Sequence, residues 1–136
     1  MGVKTVGRFI NTTPTAVAVN TNLQFNNNTI STNCITYTDN EIQLRAPGLY
    51  MIYANFTVTS ATAGTAIINL LENGTPVAGA SASETVAAGD VVNLAFTAIT
   101  TVKPECGSTI DYASLTFNNV NAMTYNVANV IVEKIA

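Results

Sequence analysis

From Leu49 to Thr59 the chain reads LYMIYANFTVT. Strand alternation sends Tyr50, Ile52, Ala54, Phe56 and Val58 to one face and Leu49, Met51 and Tyr53 to the other. The first face is apolar throughout and predicts a core. The second is apolar only as far as Tyr53 and turns polar at Asn55, Thr57 and Thr59. A strand with one solvated face would keep that face polar along its whole length, so the first half of this face needs a cover.

The same alternation, with β-branched enrichment, predicts strands over Val3–Ile10, Ala16–Val19, Leu23–Phe25, Cys34–Tyr37, Glu41–Leu44 and Leu49–Thr59. It continues with Thr65–Glu72, Thr75–Ala78, Ser81–Val86, Val91–Thr101, Ser108–Asn118 and Val127–Ile135. Phe96, within Val91–Thr101, joins Tyr50, Ile52, Phe56 and Val58 in the predicted core. No segment carries the period of a useful helix. Turn signals punctuate the strands: TPT, NNN, DN, PG, NG, AGD and KPECG. The sharpest is Asn73-Gly74 in LLENGTPV, which supplies the two positive-φ residues of a type I′ turn and predicts a hairpin. Short strands at this spacing without helices predict a single all-β domain, a sandwich or barrel.

Composition changes the picture in one respect. The chain has 136 residues, 48% hydrophobic and only 10% charged, where about 25% charged is usual. Asn, Thr and Ser carry its solvation. So little charge on a lone domain invites self-association, which an oligomer that hides part of the surface would explain. The net charge is −3 with five cations, so there is no basic stripe for nucleic acid and no basic amphipathic segment for a membrane surface. No run approaches the roughly 20 apolar residues of a membrane helix. MGVKTVGRFINTT lacks the apolar centre of a signal peptide, so cytoplasmic synthesis without export by that route is expected.

The chemistry is sparse. The chain has no His, which removes Ser-His-Asp and Cys-His catalysis and most transition-metal sites. Its acids are scattered, and those at Asp39, Glu72, Asp90 and Glu133 have turn or strand-end roles available. Phosphate-binding glycine loops are absent. A loop Ca²⁺ held by Asp39 with Asp111 remains open as an alternative. Cys34 and Cys106 lack metal spacing and read as free thiols or one disulfide. Four N-x-[ST] sequons, at Asn11, Asn27, Asn55 and Asn73, occur in a chain so rich in Asn and Thr that they read as unglycosylated. No enzyme activity, cofactor or metal is expected.

PGLYMIYANFTV resembles the strand after the Pro/Glu-Gly turn in the tumour-necrosis-factor and complement-globular-head superfamily. LLENGTPV, VAAGDVVNLAF and the terminal NVIVEKIA are similar to that family's hairpin, Gly-Asp strand start and last strand, in the family's order. LQFNNNTISTNCITYTDNEIQLRAPGLY is similar to the segment leading into the Pro-Gly turn. Within the superfamily the chain looks most like the C-terminal heads of bacterial collagen-like exosporium glycoproteins and related phage proteins, through Asn-Gly-x-Pro-Val-x-Gly and Ile-Glu-Lys-x-Ala patterns.

The resemblance implies a ten-stranded jelly roll that assembles as a homotrimer, with one sheet of each subunit facing the threefold axis. Leu49, Met51 and Tyr53 would line that axis, joined from the last strand by Val130 and Val132. The implied function is a non-enzymatic structural protein of a surface, first a bacteriophage capsid decoration or head fibre, located on the virion. The alternatives are a spore-surface protein, or an adhesion module binding a glycan or receptor with Tyr37 and Tyr125 as stacking platforms. Met1–Thr13 would be an attachment arm to the larger assembly, or the first strand.

Overall fold

The computed structural model describes residues 5–18, 21–25, 27–31, 34–38, 41–60, 63–102, 113–120 and 122–136. Its first six strands are β1 (Val6–Asn11), β2 (Thr15–Val17), β3 (Thr21–Asn22), β4 (Asn27–Ser31), β5 (Ile35–Thr38) and β6 (Glu41–Leu44). The longer ones follow: β7 (Gly48–Thr59), β8 (Gly64–Glu72), β9 (Thr75–Val86), β10 (Val91–Val102), β11 (Ala113–Asn119) and β12 (Met123–Lys134). Sheet A runs β10-β7-β12-β1-β4, with β2 beside β12; sheet B runs β5-β6-β11-β8-β9, with β3 beside β11. All pairings are antiparallel. The chain repeatedly crosses between sheets, as from β7 to β8 and from β10 through β11 to β12. The two five-strand paths make the ten strands of a jelly roll, and β2 and β3 are short additions.

Alternation in β7 becomes geometry. Tyr50, Ile52, Phe56 and Val58 are fully buried between the sheets, while Met51, Asn55 and Thr57 stand outside. Phe96 is half-buried against the same core. Rings link the two sheets: Phe56 of β7 meets Phe117 of β11 at 5.3 Å and Tyr125 of β12 at 5.9 Å. Phe117 meets Phe25 at 6.0 Å and Phe96 at 6.1 Å, and Phe25, Phe9 and Tyr37 form a triangle at 5.8 to 6.2 Å. Edge-on and tilted pairs of this kind add about 0.5–1.5 kcal/mol each beyond the area they bury.

Asn73 and Gly74 have φ of 51° and 81°, the mirror-image turn that the Asn-Gly pair predicts. The two segments foreseen after it, Thr75–Ala78 and Ser81–Val86, are one strand, β9. It runs through a register shift opposite Asn69 and Leu71, with Gly79 at φ 75°. A strand at Asn27–Ser31 was not foreseen, because an Asn-rich run reads as a turn; its backbone pairs with β1. The beginning of Ser108–Asn118 lies outside the described residues, as do Asp39, Asp111 and Cys106.

One expectation needs correction. Val130 and Val132 do not line an outer face; both are completely buried between the sheets. The reason is a bulge at Asn126, where the β12–β7 register shifts between Tyr125 and Val127. Before it the odd residues Met123 and Tyr125 point inward, and after it the even residues Ala128, Val130 and Val132 do. Of the two readings of the N-terminal segment, the described part follows that of a first strand. Val6–Asn11 lies between β12 and β4, with Phe9 fully buried.

The chain end closes sheet A beside β7. Leu49 N–H donates to Ala136 O at 3.1 Å, and Ile135 N–H donates to Leu49 O at 2.8 Å. A Cβ on Gly48 would lie 2.5 Å from both Ala136 O and Lys134 Cε. Gly64 has nearly the same φ, 151° against 152°, with nothing within 4 Å. Gly48→Ala should therefore cost about 1–3 kcal/mol more than Gly64→Ala in urea unfolding. Equal costs would mean that the terminal segment is not held against Gly48.

Candidate functional site

The two sheets present different outer faces. That of sheet B is mainly hydroxyls and amides, with Ile67 and Leu71 half-buried among them. One row across it is Asn22–Asn118–Asn69–Ser81, with Asn118 Nδ2 donating to Asn22 Oδ1 at 3.3 Å. Another is Thr36–Gln43–Ser114, where Arg45 Nη2 donates to Gln43 Oε1 at 2.6 Å.

Sheet A differs. Among the described residues the exposed large hydrophobics are Tyr53, Val91, Ile99, Val127 and Ile135; four lie on sheet A strands and the fifth just beyond β12. Register alignment places them in rows. One row is Val6–Glu133–Met51–Ile99, and the next is Arg8–Ile131–Tyr53–Thr97. Leu49 and Ile135 lie beyond the first. The next row, Ile10–Asn129–Asn55–Ala95, begins a half richer in polar groups that continues with Val127–Thr57–Asn93 and Thr124–Thr59–Val91, where Val127 and Val91 are also exposed. That half is tied within the sheet. Asn93 Nδ2 donates to Asn55 Oδ1 at 2.6 Å, Asn126 Nδ2 to Thr59 Oγ1 at 2.7 Å, and Arg8 Nε to Asn129 Oδ1 at 3.1 Å.

Leu49, Met51 and Tyr53 thus share this face, with Tyr53 43% exposed. The β12 residues that join them are Ile131 and Glu133, in place of the expected valines. The sequence concealed this because Ile131 alternates with Val130 and Val132 in a run apolar on both sides. A shallow, open depression of about 340 Å³ sits where the two halves meet, lined by Tyr53, Asn55, Ala95, Thr97, Asn129 and Ile131, among others.

Neither expected glycan platform is available. Tyr125 is fully buried against Phe56, and Tyr37 packs among Phe9 and Phe25 with its hydroxyl accepting from Phe25 N–H at 3.0 Å. Each has the inward parity of its strand. The exposed aromatic among the described residues is Tyr53.

The acids have local roles. Asp90 Oδ2 accepts from Ala87 N–H at 2.9 Å within the β9–β10 turn, and the Glu72 carboxylate accepts from the Thr100 hydroxyl across the sandwich. No group of three His, Cys, Asp or Glu able to hold a metal occurs among the described residues. Cys34 is half-buried.

Solved structures share this architecture. The globular domain of zebrafish complement 1qA aligns with a TM-score of 0.71 at 9% identity, over 97% of each chain. Eiger TNF from S. frugiperda aligns at 0.74 and 10% identity, over 98% of this chain and 93% of that one. Murine APRIL aligns at 0.69 and 8% identity, over 98% and 100%. Identities this low establish a common jelly-roll fold and nothing further. No protein-family model matches the sequence, and no curated protein matches it.

Burial leaves the Tyr125 hydroxyl without a hydrogen-bond partner and raises its pKa above the usual phenol value. The folded-state pKa exceeds the unfolded one, so this contribution is complete below about pH 10 and lost as pH rises beyond it. Tyr125→Phe removes an unsatisfied buried group. Its stability at neutral pH should stay within about 1 kcal/mol of the parent or rise, and its alkaline loss should be smaller. A larger loss at neutral pH would reveal a partner for the hydroxyl.

Proposed function

We propose that the chain is a non-enzymatic homotrimeric surface protein assembled through the outer face of sheet A. The observation that carries this reading is that, among the described residues, the exposed large hydrophobics are confined to one face of one sheet and its edge. Tyr53, Ile99, Met51, Ile131 and Leu49 make a continuous apolar half-face in a chain with only 10% charged residues. A face of this kind marks an interaction surface, and a copy of the same chain is the partner always present at equal concentration. The fold likeness to complement 1qA and TNF proteins, whose sequence patterns this chain also resembles, supports a threefold arrangement with that sheet inward.

The role that fits best is structural, as a capsid decoration or head-fibre component on a bacteriophage virion; a spore-surface protein is the alternative. Sparse catalytic chemistry and an Asn/Thr/Ser outer surface suit either. Because Val6–Asn11 is built into sheet A, attachment to a larger assembly through the N-terminal side would fall to chain that precedes β1. An adhesion reading draws on the Tyr53 depression, where an aromatic ring stands beside amides and a hydroxyl, the groups that sugars use. That site lies on the face the trimer would cover, so assembly and sugar binding there exclude each other.

Sedimentation should give three times the 14.2 kDa chain mass; a clean monomer at micromolar concentration would overturn the proposal. Tyr53→Asp would bring three carboxylates to one interface, each costing several kcal/mol to desolvate. It should give a folded monomer with unchanged circular dichroism, because Tyr53 is outside the core. Val130→Asp, by contrast, should unfold the chain itself. A Tyr53→Asp protein that remains trimeric and equally heat-stable refutes this placement of the interface.

A further inference from the structure

Asn73 is exposed at the tip of the β8–β9 turn, and it is also hooked onto β11. Glu72 is the last residue of β8 in register with β11, opposite Leu115. One step on, Asn73 N–H donates to Ser114 O at 2.8 Å, and Ser114 N–H donates to Asn73 Oδ1 at 2.9 Å. The backbone has already turned away there, and the side-chain carbonyl takes the place of the missing main-chain acceptor. Asn73 therefore adds one more rung to the β8–β11 ladder.

The next residue is Gly74, exposed, with no atom within 4 Å of where a Cβ would stand. An asparagine followed by glycine can react with its own chain, since no side chain shields the glycine nitrogen. We propose that Asn73 is a site of spontaneous deamidation whose rate is set by release of the turn from β11. The deprotonated Gly74 amide nitrogen attacks Asn73 Cγ. A C–N bond forms, the Cγ–Nδ2 bond breaks, and ammonia leaves with the proton, giving a five-membered succinimide. Water then opens this ring. Attack at Cγ yields aspartate; attack at the main-chain carbonyl yields isoaspartate, with the chain running through Cβ and Cγ.

The fold acts on both steps. While Oδ1 is held by Ser114 N–H, the carboxamide is committed to β11 and cannot fold back on Gly74 nitrogen, so reaction requires both hydrogen bonds to open. The products then differ. Aspartate keeps an oxygen that accepts from Ser114 N–H. Isoaspartate lengthens the main chain by one carbon at a turn whose two positive-φ residues set the β8–β9 register. It cannot restore the hook and the hairpin together.

The test incubates the purified chain at mildly alkaline pH, folded and in urea, and follows the peptide containing residue 73 by mass spectrometry. Isoaspartate is scored with an isoaspartyl methyltransferase. In urea, residue 73 should convert ahead of every other asparagine, and Gly74→Ala should slow it in urea, where folding plays no part. The folded chain should convert at least about tenfold more slowly, reflecting two hydrogen bonds that must open. The isoaspartyl fraction should unfold at lower urea than both the parent and Asn73→Asp, which should resemble each other. Equal rates folded and unfolded, no preference for residue 73, or an isoaspartyl fraction as stable as Asn73→Asp would overturn the proposal.

Discussion

A chain of aromatic rings crosses the gap between the sheets, and the rest of the molecule is arranged around it. Phe56 reaches in from sheet A beside Tyr125, Phe117 meets Phe56 from sheet B, and Phe25 carries the contact from Phe117 to Phe9 and Tyr37. Large rings fill a sandwich interior with few side chains, so short strands and small residues such as Ala54, Ala98 and Ala128 can complete the core. Tyr50 belongs to the same interior, and its hydroxyl is satisfied by donating to Ala46 O at 2.6 Å. With the inner faces so fully committed, the outer faces are left to determine what the molecule meets.

Those outer faces divide the labour. Sheet B offers rows of amides and hydroxyls that water solvates without help from charge. Sheet A carries its apolar rows at the end where β7 starts; toward the other end Asn55, Asn93, Asn126 and Asn129 are bonded within the sheet, with Val91 and Val127 exposed beside them. The tied amides have less to gain from a partner than the apolar rows do, so a contact on this face gains most where β7 starts.

Much of this was legible in the chain. In β7 the period of two holds over all twelve residues, so the inward set Tyr50, Ile52, Ala54, Phe56 and Val58 could be read from alternation alone. Asn73-Gly74 predicted its turn because few residues tolerate two successive positive φ values. The failures have physical causes. Asn27–Ser31 has weak strand propensity, and backbone pairing with β1 overrides it. Tyr125 looked like a loop residue because the strand was thought to begin at Val127, whereas β12 starts at Met123. The orientation of Val130 and Val132 could not be extrapolated from either end, since both faces of that segment are apolar and Asn126 interrupts the alternation.

That interruption makes β12 sensitive to length as well as to composition. Beyond Asn126, one residue more or fewer would exchange the two faces of the strand, turning Val130 and Val132 toward solvent and Ile131 and Glu133 into the core. Point changes at the bulge leave the parity intact, while a single-codon insertion or deletion between it and Ala128 inverts it. Divergence of this protein is therefore expected to vary the identity of residues 126 and 127 freely while conserving the number of residues from there to the end of the strand.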